Sequence, residues 1–136
     1  MNTFKKIYSI ELGADLYLNA KRKFRGADHL EIIYGDSTSI LPILLERINE
    51  PSIFWLDGHY SGGITAKGDK ECPIMEELDA ILADKKRLNH IILIDDARCF
   101  TGKGDFPAIN ELTEYIRSKN QKYTIDIKDD IIRCTI

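Results

Sequence analysis

The 136-residue chain is 43% hydrophobic and 30% charged, which allows one hydrophobic core but not two, so we expect a single domain over residues 1–136. Its formal net charge of −3 and pI near 5.6 indicate no general attraction to nucleic acid or to anionic membrane surfaces, with a local basic patch as the open alternative. No apolar run reaches the roughly 18 residues of a membrane span, and residues 1–12 lack a signal-peptide pattern, so we expect a cytoplasmic protein without nucleic-acid or membrane partners.

Strand-like and helix-like patterns alternate along almost the whole chain. In chain order they are strand 6–12, helix 14–25, strand 30–35, helix 36–48, strand 52–57, helix 73–86, strand 90–95, helix 106–119, and two closing strands at 123–127 and 131–136. Four successive strand–helix units predict an α/β, Rossmann-like fold with a mostly parallel sheet and helices on both faces. The last two strands, joined by a KDD turn, predict an antiparallel hairpin.

Two helices contain local signals at their starts. Asp36 or Ser37 can cap the free amides in the first turn of the second helix, and we expect Pro42 to lie in this first turn as well. Pro73 lies near the start of the third helix, a position that proline favours.

The three cysteines are odd in number and have no CxxC spacing, so neither a disulfide framework nor a zinc site is indicated. Cys134 lies in an apolar terminal run and is expected in the core. Cys72 and Cys99 lie in polar segments, where we expect partial exposure.

Three apolar runs end in acid. IYSIEL closes on Glu11, SIFWLDGH on Asp57, and HIILIDDAR on the pair Asp95 and Asp96. Ligands of open α/β sheets bind beyond the carboxyl ends of parallel strands, so these acids predict an acidic ligand crevice. The simpler alternative is that each strand merely ends in a polar residue.

The segment 57–73 is a second functional signal. It holds four glycines without periodicity, and it includes His59, Lys67 and Lys70. A loop of this length in a small domain is typical of a binding loop, although a simple insertion is the alternative. The later FTGKGD segment has glycines but no GxxxxGK[ST] motif, so it does not indicate a nucleoside triphosphatase.

The succession IYSIEL, LEIIYGDSTSIL, SIFWLDGHYSGG, HIILIDDARCF and a terminal hairpin resembles the class I methyltransferase fold, which uses S-adenosylmethionine (SAM). It is most similar to the small-molecule O-methyltransferases of sugar and antibiotic pathways. The resemblance spans nearly the whole chain, and its most specific parts are YGDS, LDGHYSGG with GDKECP, and IDDAR.

This resemblance implies roles for three cofactor-binding residues. Glu11 would accept hydrogen bonds from the ribose hydroxyls of SAM, which suits a carboxylate because it can accept two hydroxyls at once. Asp36, with Ser37 beside it, would lie near the adenine. A helix cap at Asp36 is the alternative, and the two roles are compatible.

The resemblance also implies a metal site and a catalytic base. Asp57, Asp95 and Asp96 match the acids that hold a divalent cation in metal-dependent members, and oxygen-only ligands favour Mg²⁺ or Mn²⁺ over zinc. His59 stands where related sugar methyltransferases have a general base, although an acidic residue is expected there. An imidazole could accept the proton of a substrate hydroxyl.

The chain departs from this family at its beginning. The family's first strand and its GxGxG-type loop, which cradles the methionine end of SAM, have no counterpart before Glu11. We therefore expect a truncated class I methyltransferase fold that lacks a central strand between the strands ending in Glu11 and Asp57. The chain is then a fragment or a shortened relative, and the exposed edge predicts a homo-oligomer.

Three functional hypotheses follow. The main one is a SAM-dependent, metal-assisted O-methyltransferase acting on a hydroxyl of a small molecule, such as a sugar or polyketide. The alternative is a non-catalytic remnant or oligomerisation module that no longer binds SAM. A phosphoryl-transfer domain of response-regulator type is disfavoured, because its acidic pair would follow the first strand.

Overall fold

In the computed structural model, which describes residues 3–57 and 72–136, strand and helix alternate through four units before two final strands. The elements are β1 (Ile7–Glu11), α1 (Ala14–Lys23), β2 (Leu30–Tyr34), α2 (Ser37–Arg47), β3 (Ile53–Leu56), α3 (Ile74–Leu82), β4 (Ile91–Ile94), α4 (Ile109–Lys119), β5 (Thr124–Lys128) and β6 (Ile131–Thr135). A single 3₁₀ turn at Ala97–Cys99 follows β4. The mixed α/β class predicted from the sequence is confirmed.

The strands form two sheets, whereas the sequence predicted one. β1 and β2 pair in parallel, and the second sheet has the order β3-β4-β6-β5. Within this second sheet β3 and β4 are parallel, and β6 is antiparallel to both of its neighbours. Among the described strands, β1 therefore pairs only with β2, and β3 only with β4.

The predicted terminal hairpin is confirmed. β5 and β6 are joined by Asp129 and Asp130, whose φ angles are 55° and 61°. Two consecutive positive φ angles define the turn whose twist matches that of an antiparallel pair, and aspartate tolerates this conformation better than most residues do.

The core lies on one face of the four-stranded sheet. Alternate residues of β3, β4 and β6 point into it, and α3 and α4 cover it with apolar side chains. The buried residues of this core include Phe54, Leu56, Ile92, Ile94, Ile132, Cys134, Leu78, Ile81, Leu112 and Ile116. On the opposite face of β3, Ile53 and Trp55 remain 48% and 52% exposed, so no helix of the described ranges covers this part of the sheet.

The second helix and the cysteines depart in part from expectation. Pro42 is the sixth residue of α2 and so lies in its second turn, where the missing amide cannot bond the carbonyl of Thr38. Cys134 is buried as expected and Cys99 is half-buried, but Cys72 is buried in the core. No helix in the described ranges is long and apolar enough to cross a lipid bilayer.

Gly35 sets the turn between β2 and α2, and we expect its replacement by alanine to destabilise the fold. Its φ is +152°, and an added Cβ would lie 2.8 Å from Cγ1 of Ile40. Gly35→Ala should lower the free energy of unfolding by about 1–3 kcal/mol, as measured by urea denaturation. In an Ile40→Ala background the cost should shrink. An equal cost in both backgrounds would show that the contact is not the cause.

Candidate functional site

Three of the predicted acids meet at the carboxyl ends of β3 and β4. In this parallel pair Leu56 is in register with Ile94, and Asp57 and Asp95 are the next residues along the chain. The amide of Asp95 donates to the carbonyl oxygen of Leu56 at 3.1 Å, which extends the pairing to the end of the strand. The local register of two strands therefore brings residues from distant parts of the chain together.

Asp57, Asp95 and Asp96, the acidic cluster, each offer one carboxylate oxygen, and these oxygens lie within 4.8 Å of one another. Mg²⁺ or Mn²⁺ bound at about 2.1 Å would hold its ligand oxygens about 3–4 Å apart, so the cluster fits one such cation after small side-chain movements. Asp57 is exposed and the other two acids are half-buried. The donor set, all oxygen, is also the set that these cations prefer.

The backbone at Asp96 is unusual. Its φ and ψ are 54° and 53°, in the left-handed region that non-glycine residues seldom occupy. Its amide donates to Oδ1 of Asp95 at 2.9 Å, so the turn that follows β4 is held partly by the cluster itself. Such conformations are concentrated at functional sites, where the surrounding structure maintains them.

Arg98 is a neighbour of the acidic cluster that the sequence reasoning did not single out. Its Nη1 lies 2.7 Å from Oδ1 of Asp96, and its guanidinium also pairs with the carboxylate of Asp130. The backbone amide of Arg98 donates to Oδ1 of Asp130 at 2.9 Å, and that of Ala97 to the Asp130 carbonyl at 2.8 Å. The hairpin turn is thereby tied to the cluster, and Arg98 offsets part of the negative charge that a metal ion would otherwise balance.

The predicted cofactor residues lie at the carboxyl ends of the other sheet. Glu11 is the last residue of β1, and its carbonyl accepts the amide of Gly35 at 3.0 Å. Asp36 caps α2, because its Oδ1 accepts the amide and the hydroxyl of Thr38 at 2.8 and 2.7 Å. The helix-cap alternative is thus confirmed, and within the described residues Oδ2 of Asp36 has no hydrogen-bond partner.

Ser37 faces α3. Its hydroxyl donates to Oε1 of Glu77 at 2.5 Å, across the junction between α2 and α3. Glu77 is only 4% exposed, and this burial raises its pKa to about 7, while Asp36 and Glu76 add smaller repulsive contributions and the Ser37 hydroxyl opposes them. A carboxyl group that is partly protonated at neutral pH therefore adjoins two predicted cofactor residues.

Sequence reasoning missed Glu77, although a signal for it was present. It shares the helical face of Ile74, Leu78 and Ile81, all of which are buried. An acid at such a position must be neutralised or paired, because burying an isolated charge is costly. By contrast, nothing in the local sequence could have paired Asp130 with Arg98, since these residues are far apart along the chain.

The predicted site residues thus fall into two groups on different sheets: Glu11, Asp36 and Ser37 follow β1 and β2, and the acidic cluster follows β3 and β4. His59, the predicted general base, lies outside the described residues.

No family model, curated protein or solved structure matches this chain.

The raised pKa of Glu77 predicts a specific pH dependence of stability. Because the folded pKa of about 7 exceeds the ordinary value of 4.5, the folded state holds the extra proton between these values, and stability falls as the pH rises through them. The full loss is about 3 kcal/mol. Glu77→Gln keeps an acceptor for Ser37 without the charge, so it should lack this loss and be more stable than wild type at pH 8.

Urea denaturation followed by circular dichroism between pH 5 and 8 measures this difference. Glu114→Gln, which removes an exposed acid from α4, is the matched control and should follow wild type. Parallel stability profiles for Glu77→Gln and wild type would contradict the assignment.

Proposed function

We propose that this chain is a SAM-dependent O-methyltransferase-like domain that acts, with Mg²⁺ or Mn²⁺, on a hydroxyl of a small molecule of sugar or polyketide type. The observation that supports this most directly is the acidic cluster, whose three oxygens lie within 4.8 Å at the carboxyl ends of two parallel strands. Ligands of α/β sheets bind at this position. The resemblance carried by YGDS, LDGH and IDDAR also implies a metal ion there.

In this proposal each group of residues has a separate task. The carboxylate of Glu11 would accept hydrogen bonds from the ribose of SAM, and Oδ2 of Asp36 would be available to a donor of the adenine. A cation held by the acidic cluster would lower the pKa of the acceptor hydroxyl. His59 would accept the proton of that hydroxyl, while SAM would supply the methyl group to the hydroxyl oxygen and leave as S-adenosylhomocysteine.

The division of the sheets is a second supporting observation. β1 is unpaired on the side away from β2, and β3 is unpaired on the side away from β4, among the strands described. One further parallel strand between these edges would unite the strands into one sheet. The resemblance implies a central strand of the family at this place.

The same division supports the second candidate, a non-catalytic remnant or oligomerisation module. Two unpaired strand edges are templates for association with other chains. The half-exposed Ile53 and Trp55 lie on β3 itself and add apolar surface there. In this candidate the acids remain although the chain no longer binds SAM.

Isothermal titration of the purified chain with SAM, with and without Mg²⁺, separates the two candidates. If the chain is methyltransferase-like, we expect it to bind SAM with a Kd on the order of micromolar. Glu11→Ala should abolish this binding, whereas Glu114→Ala, a change in α4, should leave it unaffected. Titration with Mn²⁺ should likewise give binding that Asp95→Asn removes. The absence of SAM binding at about 1 mM would reject the enzyme and favour the remnant.

Sedimentation velocity tests the self-association that both candidates share. We expect a concentration-dependent dimer or larger species that the double variant Ile53→Lys/Trp55→Lys shifts to monomer, because two charges oppose burial of this face. Ile43→Lys, which places one charge at another exposed apolar position, is the control. A wild-type chain that stays monomeric at all concentrations would contradict the expectation.

A further inference from the structure

A cavity of about 580 Å³ lies beside the carboxyl-terminal end of α1. It is bounded by the last turn of this helix, by the turn that follows it, and by the first part of β2. Glu11 and Asp36 lie beyond the carboxyl ends of β1 and β2, whereas this cavity lies where β2 begins. The cavity therefore belongs to the opposite edge of the sheet from the predicted SAM crevice.

The charge of this cavity is opposite to that of the whole chain. Lys21, Arg22 and Arg25 line it, and Asp28 is the single acid among its lining residues. None of the three cations has an ion-pair partner in the part of the chain that the structure describes. The chain as a whole has a net charge of −3.

The helix dipole explains only part of this arrangement. Cations are favourable in the last turn of a helix, which accounts for Lys21 and Arg22. Arg25 lies beyond the C-cap residue Phe24 and outside the last helical turn, so the dipole does not account for it. A bound anion would offset the positive charge that the three side chains bring to this cavity.

The wall of the cavity is apolar. Leu18 and Phe24 are 54% and 44% exposed, and Ile32 lies buried in the lining from β2. Exposed apolar surface that is gathered around a cavity, rather than scattered, is typical of a binding site. The ammonium of Lys23 lies 5.4 Å from the centroid of the Phe24 ring, so the other face of this ring is the one on which a planar group can stack.

We infer that this cavity binds a small anion with an apolar body, namely a ring or short hydrocarbon that bears a phosphate or carboxylate. The volume lies within the range of about 300–1,000 Å³ that small-molecule sites occupy. The guanidinium groups of Arg22 and Arg25 can each bind such an oxyanion through two parallel hydrogen bonds. The apolar wall formed by Leu18, Phe24 and Ile32 receives the body of the ligand.

The test is a titration of the full chain with 1-naphthyl phosphate, followed by ¹H–¹⁵N NMR. We expect saturable binding with shifts confined to residues 16–32. Inorganic phosphate, which has the charge alone, and 1-naphthol, which has the ring alone, should each bind at least about tenfold more weakly. Equal affinity for inorganic phosphate would overturn the inference, as would shifts centred elsewhere in the chain.

Two variants assign the binding to this cavity. Arg22→Gln/Arg25→Gln should weaken binding of 1-naphthyl phosphate by about tenfold or more. Lys103→Gln/Lys122→Gln removes the same charge at exposed positions elsewhere and should have no effect. Equal losses in both double variants would overturn the inference, because the effect would then be one of net charge.

Phe24→Ala tests the apolar wall of the cavity, and competition with SAM tests whether the cavity is a separate site. Phe24→Ala should weaken binding of 1-naphthyl phosphate but not of inorganic phosphate, and equal effects on both would count against an apolar subsite. Addition of SAM should not displace 1-naphthyl phosphate from the cavity, and displacement would show that the cavity is not a separate site. The result is independent of whether the chain binds SAM, because none of the predicted SAM-binding residues lines this cavity.

Discussion

The packing of α2 against α3 holds the two sheets together. No described strand of one sheet hydrogen-bonds to the other, so the connection depends on side chains. Leu41 and Leu45 of α2 share the core with Leu78 of α3, and the burial of each such side chain stabilises the fold by about 1.5–3 kcal/mol. The ammonium of Lys86, just beyond α3, adds a hydrogen bond to the carbonyl of Leu45 at 2.6 Å. The relative position of the two acidic groups depends on this junction.

Two different interactions stabilise the acidic side chains of this molecule. At the junction between α2 and α3, burial favours the neutral form of Glu77, and the hydroxyl of Ser37 supplies its hydrogen bond. At the end of the four-stranded sheet the carboxylates stay closer to water, and Arg98 draws Asp96 and Asp130 together. A proton therefore relieves the repulsion at one site and a guanidinium at the other. A divalent cation at the acidic cluster would have to share Asp96 with this arginine.

The expectations that the structure overturned have different physical causes. Cys72 stands in a polar segment, yet it packs among the side chains of α3 and the sheet. Pro42 was expected in the first turn of its helix, but Asp36 begins α2 early enough to place this proline in the second turn. Local sequence patterns indicate the conformation and burial that a residue favours, whereas its tertiary contacts decide the conformation and burial that it adopts.

The sequence by itself determined the elements and their order, since hydrophobic periodicity, capping residues and turn chemistry act within a few residues of one another. It also determined that Asp57 and the Asp95–Asp96 pair would stand at strand ends, and with parallel pairing this implied their proximity. Only the tertiary structure decided that the strands divide into two sheets and that Arg98 and Asp130 join the acidic cluster. These features depend on pairing and packing between distant segments, for which a single sequence contains no local signal.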